Sequence, residues 1–312
     1  GAGWFNADDL EHSQADWVEP LTATAFGVDL HTIGPNSQGY LTLGGSLLAD
    51  MQDLPDDPSD ERWAHLMVEA AKLAGHDRNA VLHDRADGDE LLAAIVARGG
   101  QLDADRAGAY AAPARFGDTT YLCTAEADGL AVSLIQSNAS GFGSWLAEPN
   151  TNINLHNRGL GFAVGEGHAA EVAPGRRPPH TLSPALATRD GNLAAVFGTM
   201  GGDAQPQILQ QVAARLFRHG ESAAAAINAP RWALAGASTG FDTWSEPNAQ
   251  VVELEGHAPA SWQALSDRGH PVSTSPSFDS GFGHAHAIVV EPGGSLAGAA
   301  DPRTRVGSAA GR

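Results

Sequence analysis

Three features of this 312-residue sequence predict a mixed α+β fold. Two Asp-Gly pairs, Asp128-Gly129 and Asp190-Gly191, each separate two strand-like runs, which is the pattern of a β-hairpin. Two other stretches, Trp63 to Ala74 and Ile208 to Leu216, repeat apolar residues at helical spacing. Neither an internal repeat nor a low-complexity linker divides the chain, so one domain is the simpler reading.

Taken in order, the first element is the helix through Trp63, Leu66, Met67, Ala70 and Ala74, with Ser59 as N-cap and Asp60 and Glu61 in its first turn. Its apolar stripe packs, which is a structural role. From Asp84 to Phe116 one short helix, Glu90 to Ala97, interrupts a stretch rich in glycine and alanine. This reads as a mobile arm, and a protease-accessible linker has the same composition. After Thr119 the period becomes two: Thr119 to Glu126 with Leu130 to Gln136, then Ala185 to Thr188 with Leu193 to Gly198. Ile208, Leu209, Val212, Ala213 and Leu216 then form a helical face, with Pro206 in the first turn and Gly220 just past the end. Val251 to Leu254, His286 to Val290 and Ser295 to Gly298 read as further strands, the last two joined through Pro292-Gly293-Gly294. Periodicity alone supports no more than α+β.

Composition excludes partners more readily than it identifies chemistry. A formal charge of −19 argues against nucleic acid and anionic membranes. No apolar segment reaches signal or membrane-spanning length. Cys123 is the sole cysteine, so no internal disulfide can form, and cytoplasmic, periplasmic and secreted locations all stay open. Lys72 is the sole lysine.

Mid-chain, Gly117-Asp118-Thr119-Thr120-Tyr121-Leu122 opens the β-rich part, and Thr119 to Ser144 reads TTYLCTAEADGLAVSLIQSNASGFGS. Further along stand Arg177-Pro178, Ser183-Pro184, Gly201-Gly202, Asn228-Ala229-Pro230-Arg231 and Ala300-Asp301-Pro302-Arg303. Upstream stand Asp8-Asp9-Leu10, Gly34-Pro35-Asn36-Ser37-Gln38-Gly39, and Glu69 to Ala74 with Asp77-Arg78. In this order they resemble the γ-glutamyltransferase (glutathione hydrolase) family over almost the whole chain. The resemblance implies an αββα four-layer sandwich of the N-terminal-nucleophile hydrolase type. It also implies a zymogen that cuts itself before Thr119. Residues 1–118 then form the end of a large subunit and 119–312 the small subunit, the two products assembling as a heterodimer in one sandwich domain. Gly1-Ala2-Gly3-Trp4-Phe5 resembles mid-protein sequence, so the first part of the large subunit is expected elsewhere, in a longer precursor or a separate chain.

Cleavage before Thr119 gives one residue both a nucleophilic hydroxyl and a free α-amine, whose ordinary pKa of roughly 8 suits proton abstraction near neutrality. On the residues alone, Thr119 and Thr120 read equally as β-branched strand residues. The resemblance assigns Thr119 the attack on Asp118 in maturation and on an amide in turnover, through an acyl-threonine handed to water or an amine. Ser137 falls where the family has an assisting threonine, and by itself reads as a polar strand end. Gly201-Gly202, between a strand and a helix, suits an oxyanion hole, and a tight turn equally. His180-Thr181 stands where the family has two serines that contact the acyl group, although a loop histidine looks the same.

In the loop Leu155 to Phe162, Gly161 takes the place of the acid that binds a γ-glutamyl α-ammonium, and Ala139 that of an asparagine. Arg158 adds positive charge suited to a carboxylate. These departures point from glutathione metabolism toward acyl groups without the amine, such as glutaryl amides or substrates of the cephalosporin-acylase kind, and an aspartate at 161 is expected to restore the γ-glutamyl contact. A truncated, inactive homologue with an assembly role is the non-enzymatic alternative. His284-Ala285-His286 could chelate from alternate strand positions or line a strand edge or the pocket. Two imidazoles fall short of the three or four ligands of zinc sites. Neither metal nor cofactor is expected.

Overall fold

The computed structural model describes residues 11–13, 15–110, 119–235 and 250–312. Asp8-Asp9-Leu10 and Gly117-Asp118, used above, lie outside the described residues. The first strands, β1 (Leu21–Ala25) and β2 (Val28–Thr32), turn through Phe26 and Gly27, both at positive φ. Helices α1 (Tyr40–Asp50), α2 (Glu61–Gly75) and α3 (Gly88–Ala97) follow, then the hairpin β3 (Thr120–Ala125) and β4 (Ala131–Gln136). A second hairpin, β5 (Ala185–Arg189) and β6 (Asn192–Met200), leads into α4 (Gln205–Ala213) and α5 (Ala223–Asn228). The chain ends with β7 (Trp232–Ala235), β8 (Val251–Glu255), β9 (Val272–Ser275), β10 (His284–Val290) and β11 (Leu296–Ala300).

One antiparallel sheet of six strands, ordered β1-β2-β5-β6-β10-β11, is the frame. Strand β6 shows how its two faces divide. Phe197 faces the helices, its ring 6.2 Å from that of Phe217. Gly198, next along, faces the β3–β4 hairpin, and a Cβ there would overlap the ring of Tyr121. Glycine at 198 is therefore what lets the hairpin stack on the sheet. Tyr121 is 6% exposed, whereas Leu122, Val132 and Leu134 on the outer face of the hairpin are 43–45% exposed. Among the described residues this gives helices on one face of the six-stranded sheet, the β3–β4 hairpin on the other, and a separate three-stranded sheet ordered β9-β8-β7.

Helix α4 is held largely by amides. Gln205, Gln207, Gln210 and Gln211 are all buried. Gln211 donates to the carbonyl of Trp232 and accepts from its amide at 3.0 and 3.2 Å, and Gln207 accepts from the amide of Leu234 at 2.8 Å. These side chains pair with the edge strand β7 as a neighbouring strand would. The Asn-Ala-Pro-Arg and Ala-Asp-Pro-Arg stretches meet in a buried ion network. Arg231 Nη2 lies 2.7 Å and Arg303 Nη1 3.1 Å from Asp301, and Arg303 also pairs with Glu255. Asp301 further accepts from the amide of Ala285 at 2.7 Å. Burial opposes its charge, but Arg231 and Arg303 outweigh that and hold its carboxyl below the usual range. These motifs join α5, β8, β10 and β11 at the end of the chain.

Two sequence expectations need correction. Asp60, not Ser59, caps α2: its carboxylate accepts from the amide of Arg62 at 2.7 Å, while the Ser59 amide belongs to a turn closed by Asp57. Of the stretch from Asp84 to Phe116, residues 84–110 do not form a loose arm, and 111–116 lie outside the described residues. Arg176 holds Asp84 at 2.5 Å, Asp87 caps α3, and Glu69 accepts from the amide of Gly108 at 2.8 Å. Lys72, the sole lysine, is buried behind this anchor and donates to Glu69 at 2.9 Å and to His270 Nδ1 at 3.0 Å. The directions then propagate: His270 Nε2–H donates to His65 Nδ1 at 2.8 Å, and His65 Nε2–H to the carbonyl of Asp103 at 2.9 Å. Both rings are neutral, with burial pushing His65 down and His270 to about 2. Among the described residues no helix is long and apolar enough to cross a membrane.

Candidate active site

The β3–β4 register ends with Thr120 facing Gln136. Thr119 and Ser137 are the residues next beyond that last pair on the two strands. The hairpin turn at Asp128-Gly129, with Gly129 at φ 94°, sets that register, so two residues well separated in sequence lie at the same end of the hairpin. Thr119 is half-buried, and Ser137 Oγ accepts from the amide of Ala139 at 3.0 Å. Ala139 is buried at φ 81°, a left-handed backbone that asparagine tolerates better than alanine.

Gly201 and Gly202 follow β6, the strand on which the hairpin stacks. Both have positive φ, 145° and 55°, which explains glycine at each. The Gly201 carbonyl accepts from the amide of Ala204 at 3.0 Å and that of Gly202 from the amide of Gln205 at 3.2 Å. Since a trans peptide carries N–H opposite to C=O, the Gly202 N–H points away from α4. This is the direction an oxyanion donor at a helix start requires.

Thr181 and His180 flank this turn. His180 pairs by its backbone with the Asn36-to-Gln38 segment, donating to the Asn36 carbonyl at 3.0 Å and accepting from the Gln38 amide at 2.9 Å. Its Nδ1 accepts from the amide of Leu182 at 3.2 Å, which leaves the proton on Nε2. Burial, then Arg158, Arg78 and Arg177, push its pKa down to about 3, so the ring is neutral. Thr181 is 2% exposed. Arg158 is 9% exposed, and burial pulls its pKa to about 10 while Asp203 opposes the shift. Asp203 also faces Arg78, 3.7 Å away.

The 157–161 loop is tied to the 138–143 loop by Asn157. Its amide nitrogen donates to the carbonyls of Ser140 and Gly143, both at 3.1 Å, and its Oδ1 accepts from the amide of Ser140 at 2.9 Å. The loop borders a cavity of about 300 Å³ lined by Arg78, Leu160, Gly161, Phe162, His168 and Pro179, among others. At Gly161 the structure overturns one expectation. A Cβ there would overlap the carbonyl oxygen of Pro179 and lie 3.3 Å from Pro178 Cβ, so an aspartate has no room. His284 Nε2 bonds Ser280 Oγ at 2.8 Å, and His286 packs on Tyr121 with ring centroids 6.4 Å apart. Among the described residues no group of three potential metal ligands gathers there or elsewhere. Sequence reasoning missed Gln38 and Asp203, both buried near the glycine pair; Gln38 stands inside the Gly34-to-Gly39 stretch, used only for recognition, and Asp203 directly follows Gly201-Gly202.

Comparison with known proteins fits this arrangement. The gamma-glutamyltranspeptidase family model matches residues 1–311. The chain is 34% identical over 309 residues to the glutathione hydrolase-like YwrD proenzyme of Bacillus subtilis (strain 168), covering 96% of this chain and 57% of that protein. It is 35% identical over 310 residues to the oxamate amidohydrolase proenzyme of Klebsiella pneumoniae, covering 97% and 57%. The crystal structure of cephalosporin acylase from Bacillus halodurans matches with a TM-score of 0.84 and 30% identity, covering 98% of this chain and 55% of that one. The chain spans a little over half the length of these relatives.

Proposed function

Because the chain belongs to the gamma-glutamyltranspeptidase family, we propose that it is part of an amidohydrolase or acyltransferase that matures by cleavage before Thr119 and takes acyl groups bearing a carboxylate but no α-ammonium. The fold is that of the N-terminal-nucleophile hydrolases, and the relatives' names as proenzymes support maturation by cleavage. In this reading residues 1–118 and 119–312 become the two chains of a heterodimer. Thr119 attacks with its hydroxyl, its freed amine takes the proton, Ser137 orients the hydroxyl, and Gly201-Gly202 receive the oxyanion. Water or an amine then releases the acyl group. The remaining part of the large subunit covers the exposed Leu122, Val132 and Leu134 on the outer face of the hairpin.

The observation that carries the acyl specificity is the loop at Gly161. Pro179 leaves no room for an ammonium-binding acid, while the same turn holds the buried Arg158 guanidinium, with Thr181 and His180 as neutral donors nearby. A guanidinium attracts a carboxylate and repels an ammonium. The oxamate named for one relative is an amide of this kind, with a carboxylate and no ammonium. A charge-assisted hydrogen bond is worth about 1.5–3 kcal/mol, or roughly 10–150-fold in kcat/KM. Full-length matured protein is therefore expected to hydrolyse glutaryl p-nitroanilide at least as well as the γ-glutamyl compound. A strong preference for the γ-glutamyl compound would refute this specificity.

A further inference from the structure

We infer that Gln38 is a positioning residue for the Gly201-Gly202 turn, acting through the carbonyls of Gly202 and Thr181 in both self-cleavage and turnover. The inference rests on the reading of that turn as the oxyanion site. Gln38 is fully buried and belongs to the Gly34-to-Gly39 turn, remote in sequence from both partners. Its Nε2 lies 3.1 Å from the Gly202 carbonyl oxygen and 3.4 Å from that of Thr181. Two carbonyls on one amide nitrogen settle its orientation, because the flipped amide would set three oxygens together.

The effect falls on the peptide planes. The Gly202 carbonyl belongs to the peptide that follows the Gly202 N–H and carries the Asp203 N–H; Gly202 has φ 55°, and without a Cβ the two peptides can rotate about its Cα at little steric cost, so holding the carbonyl limits that rotation. The Gln205 amide holds the Gly202 carbonyl from the helix side, and Gln38 holds it from the Gly34-to-Gly39 turn. The same nitrogen reaches Thr181, so one side chain sets the spacing between the two flanks of the site. The turn that carries Gln38 is itself pinned: Ser37 Oγ donates to the Leu182 carbonyl at 2.5 Å and accepts from the Gly39 amide at 2.9 Å. Gln205 Oε1 accepts from the Ser183 amide at 3.1 Å and braces the other end of the Thr181-to-Ser183 segment. An oxyanion donor is effective only when its direction is fixed before charge develops.

The test uses the full-length precursor and two near-isosteric variants, Gln38→Met, which removes the donor, and Gln38→Glu, which sets a carboxylate against two carbonyls. Self-cleavage is followed by intact mass, and kcat and KM are measured on glutaryl p-nitroanilide after maturation. The expected result for Gln38→Met is kcat about 10–100-fold lower with KM changed less than about threefold, somewhat less than the loss of a direct oxyanion donor. Self-cleavage should slow in parallel, and Gln38→Glu should be slower still. A Gln38→Met protein that matures and turns over at the wild-type rate, or that changes only KM, overturns the inference. Should neither variant fold, Ser37→Ala loosens the turn while keeping Gln38: lower kcat at constant KM supports the proposal, and unchanged kcat overturns it. A wild-type precursor that never cuts before Thr119 refutes the underlying reading instead, so the two failures are distinguishable.

Discussion

Placing an acid at position 161 separates a steric account of this loop from a purely electrostatic one. Alignment by residue type suggests that Gly161→Asp creates the missing ammonium partner and raises γ-glutamyl activity. The backbone predicts the opposite. The new Cβ would overlap the Pro179 carbonyl oxygen, with Pro178 Cβ at 3.3 Å and the Pro179 carbonyl carbon at 3.4 Å. The obstacle is main chain, which cannot rotate aside as a flexible side chain can. The Pro178-Pro179 segment is fixed in turn, since Asn36 donates to the Pro178 carbonyl at 2.5 Å and His180 to the Asn36 carbonyl at 3.0 Å. Overpacking of this kind costs about 1–3 kcal/mol, and the loop carrying Arg158 must absorb the displacement. The melting temperature of the matured protein should therefore fall by several degrees. Its kcat/KM on both γ-glutamyl and glutaryl p-nitroanilide should drop, with no gain for the former. A Gly161→Asp protein that keeps its melting temperature and hydrolyses the γ-glutamyl compound tenfold faster would refute the steric argument.

Two further outcomes follow from the buried charges. Asp301→Asn leaves Arg231 and Arg303 facing one another without their shared carboxylate; breaking a buried pair this way costs about 3–5 kcal/mol, to be read as a lower urea midpoint, and an unchanged midpoint would contradict it. Acid should destabilise the fold before most carboxylates titrate. His180 and His270 have folded pKa values of about 3 and about 2, and His65 is shifted the same way, so below about pH 6.5 only the unfolded chain takes up their protons. Their contribution is complete above about pH 6.5 and declines toward pH 3, at up to about 1.4 kcal/mol per pH unit for each ring. Glu69, whose carboxyl burial pushes up, works in the other direction as it titrates. Urea midpoints between pH 7 and 4.5 should therefore fall with pH, and a flat or rising series would contradict neutral buried histidines.

Much of the fold was legible because turn chemistry and periodicity agree. Asp190 and Gly191 both have positive φ, 52° and 77°, as a two-residue hairpin demands, and the strands on either side lie within about two residues of their expected bounds. Other elements carried no such signal. Helix α1 contains Gly44 and Gly45, where a Cβ would crowd Ile95 and Gln210, so tertiary packing overrides its poor helix propensity. Strand β7 was hidden because its partners on one side are glutamine side chains rather than a strand. In the site, the placing of Thr119 and Ser137 at one end of the hairpin could be read by counting out from Asp128-Gly129. The obstruction at Gly161 could not, because Pro179 is brought there only by pairing with the Asn36 segment. The convergence of two arginine motifs on Asp301 was likewise invisible in a linear reading, which treated them as family markers.

The central claim is that Thr119 becomes an N-terminal nucleophile, and N-terminal sequencing of the purified full-length protein tests it most directly. The predicted new terminus is Thr-Thr-Tyr-Leu-Cys, accompanied by a fragment of residues 119–312, with both absent from the Thr119→Ala protein. An active enzyme that remains uncut, a new terminus elsewhere, or a Thr119→Ala protein that still cleaves and turns over would contradict the account.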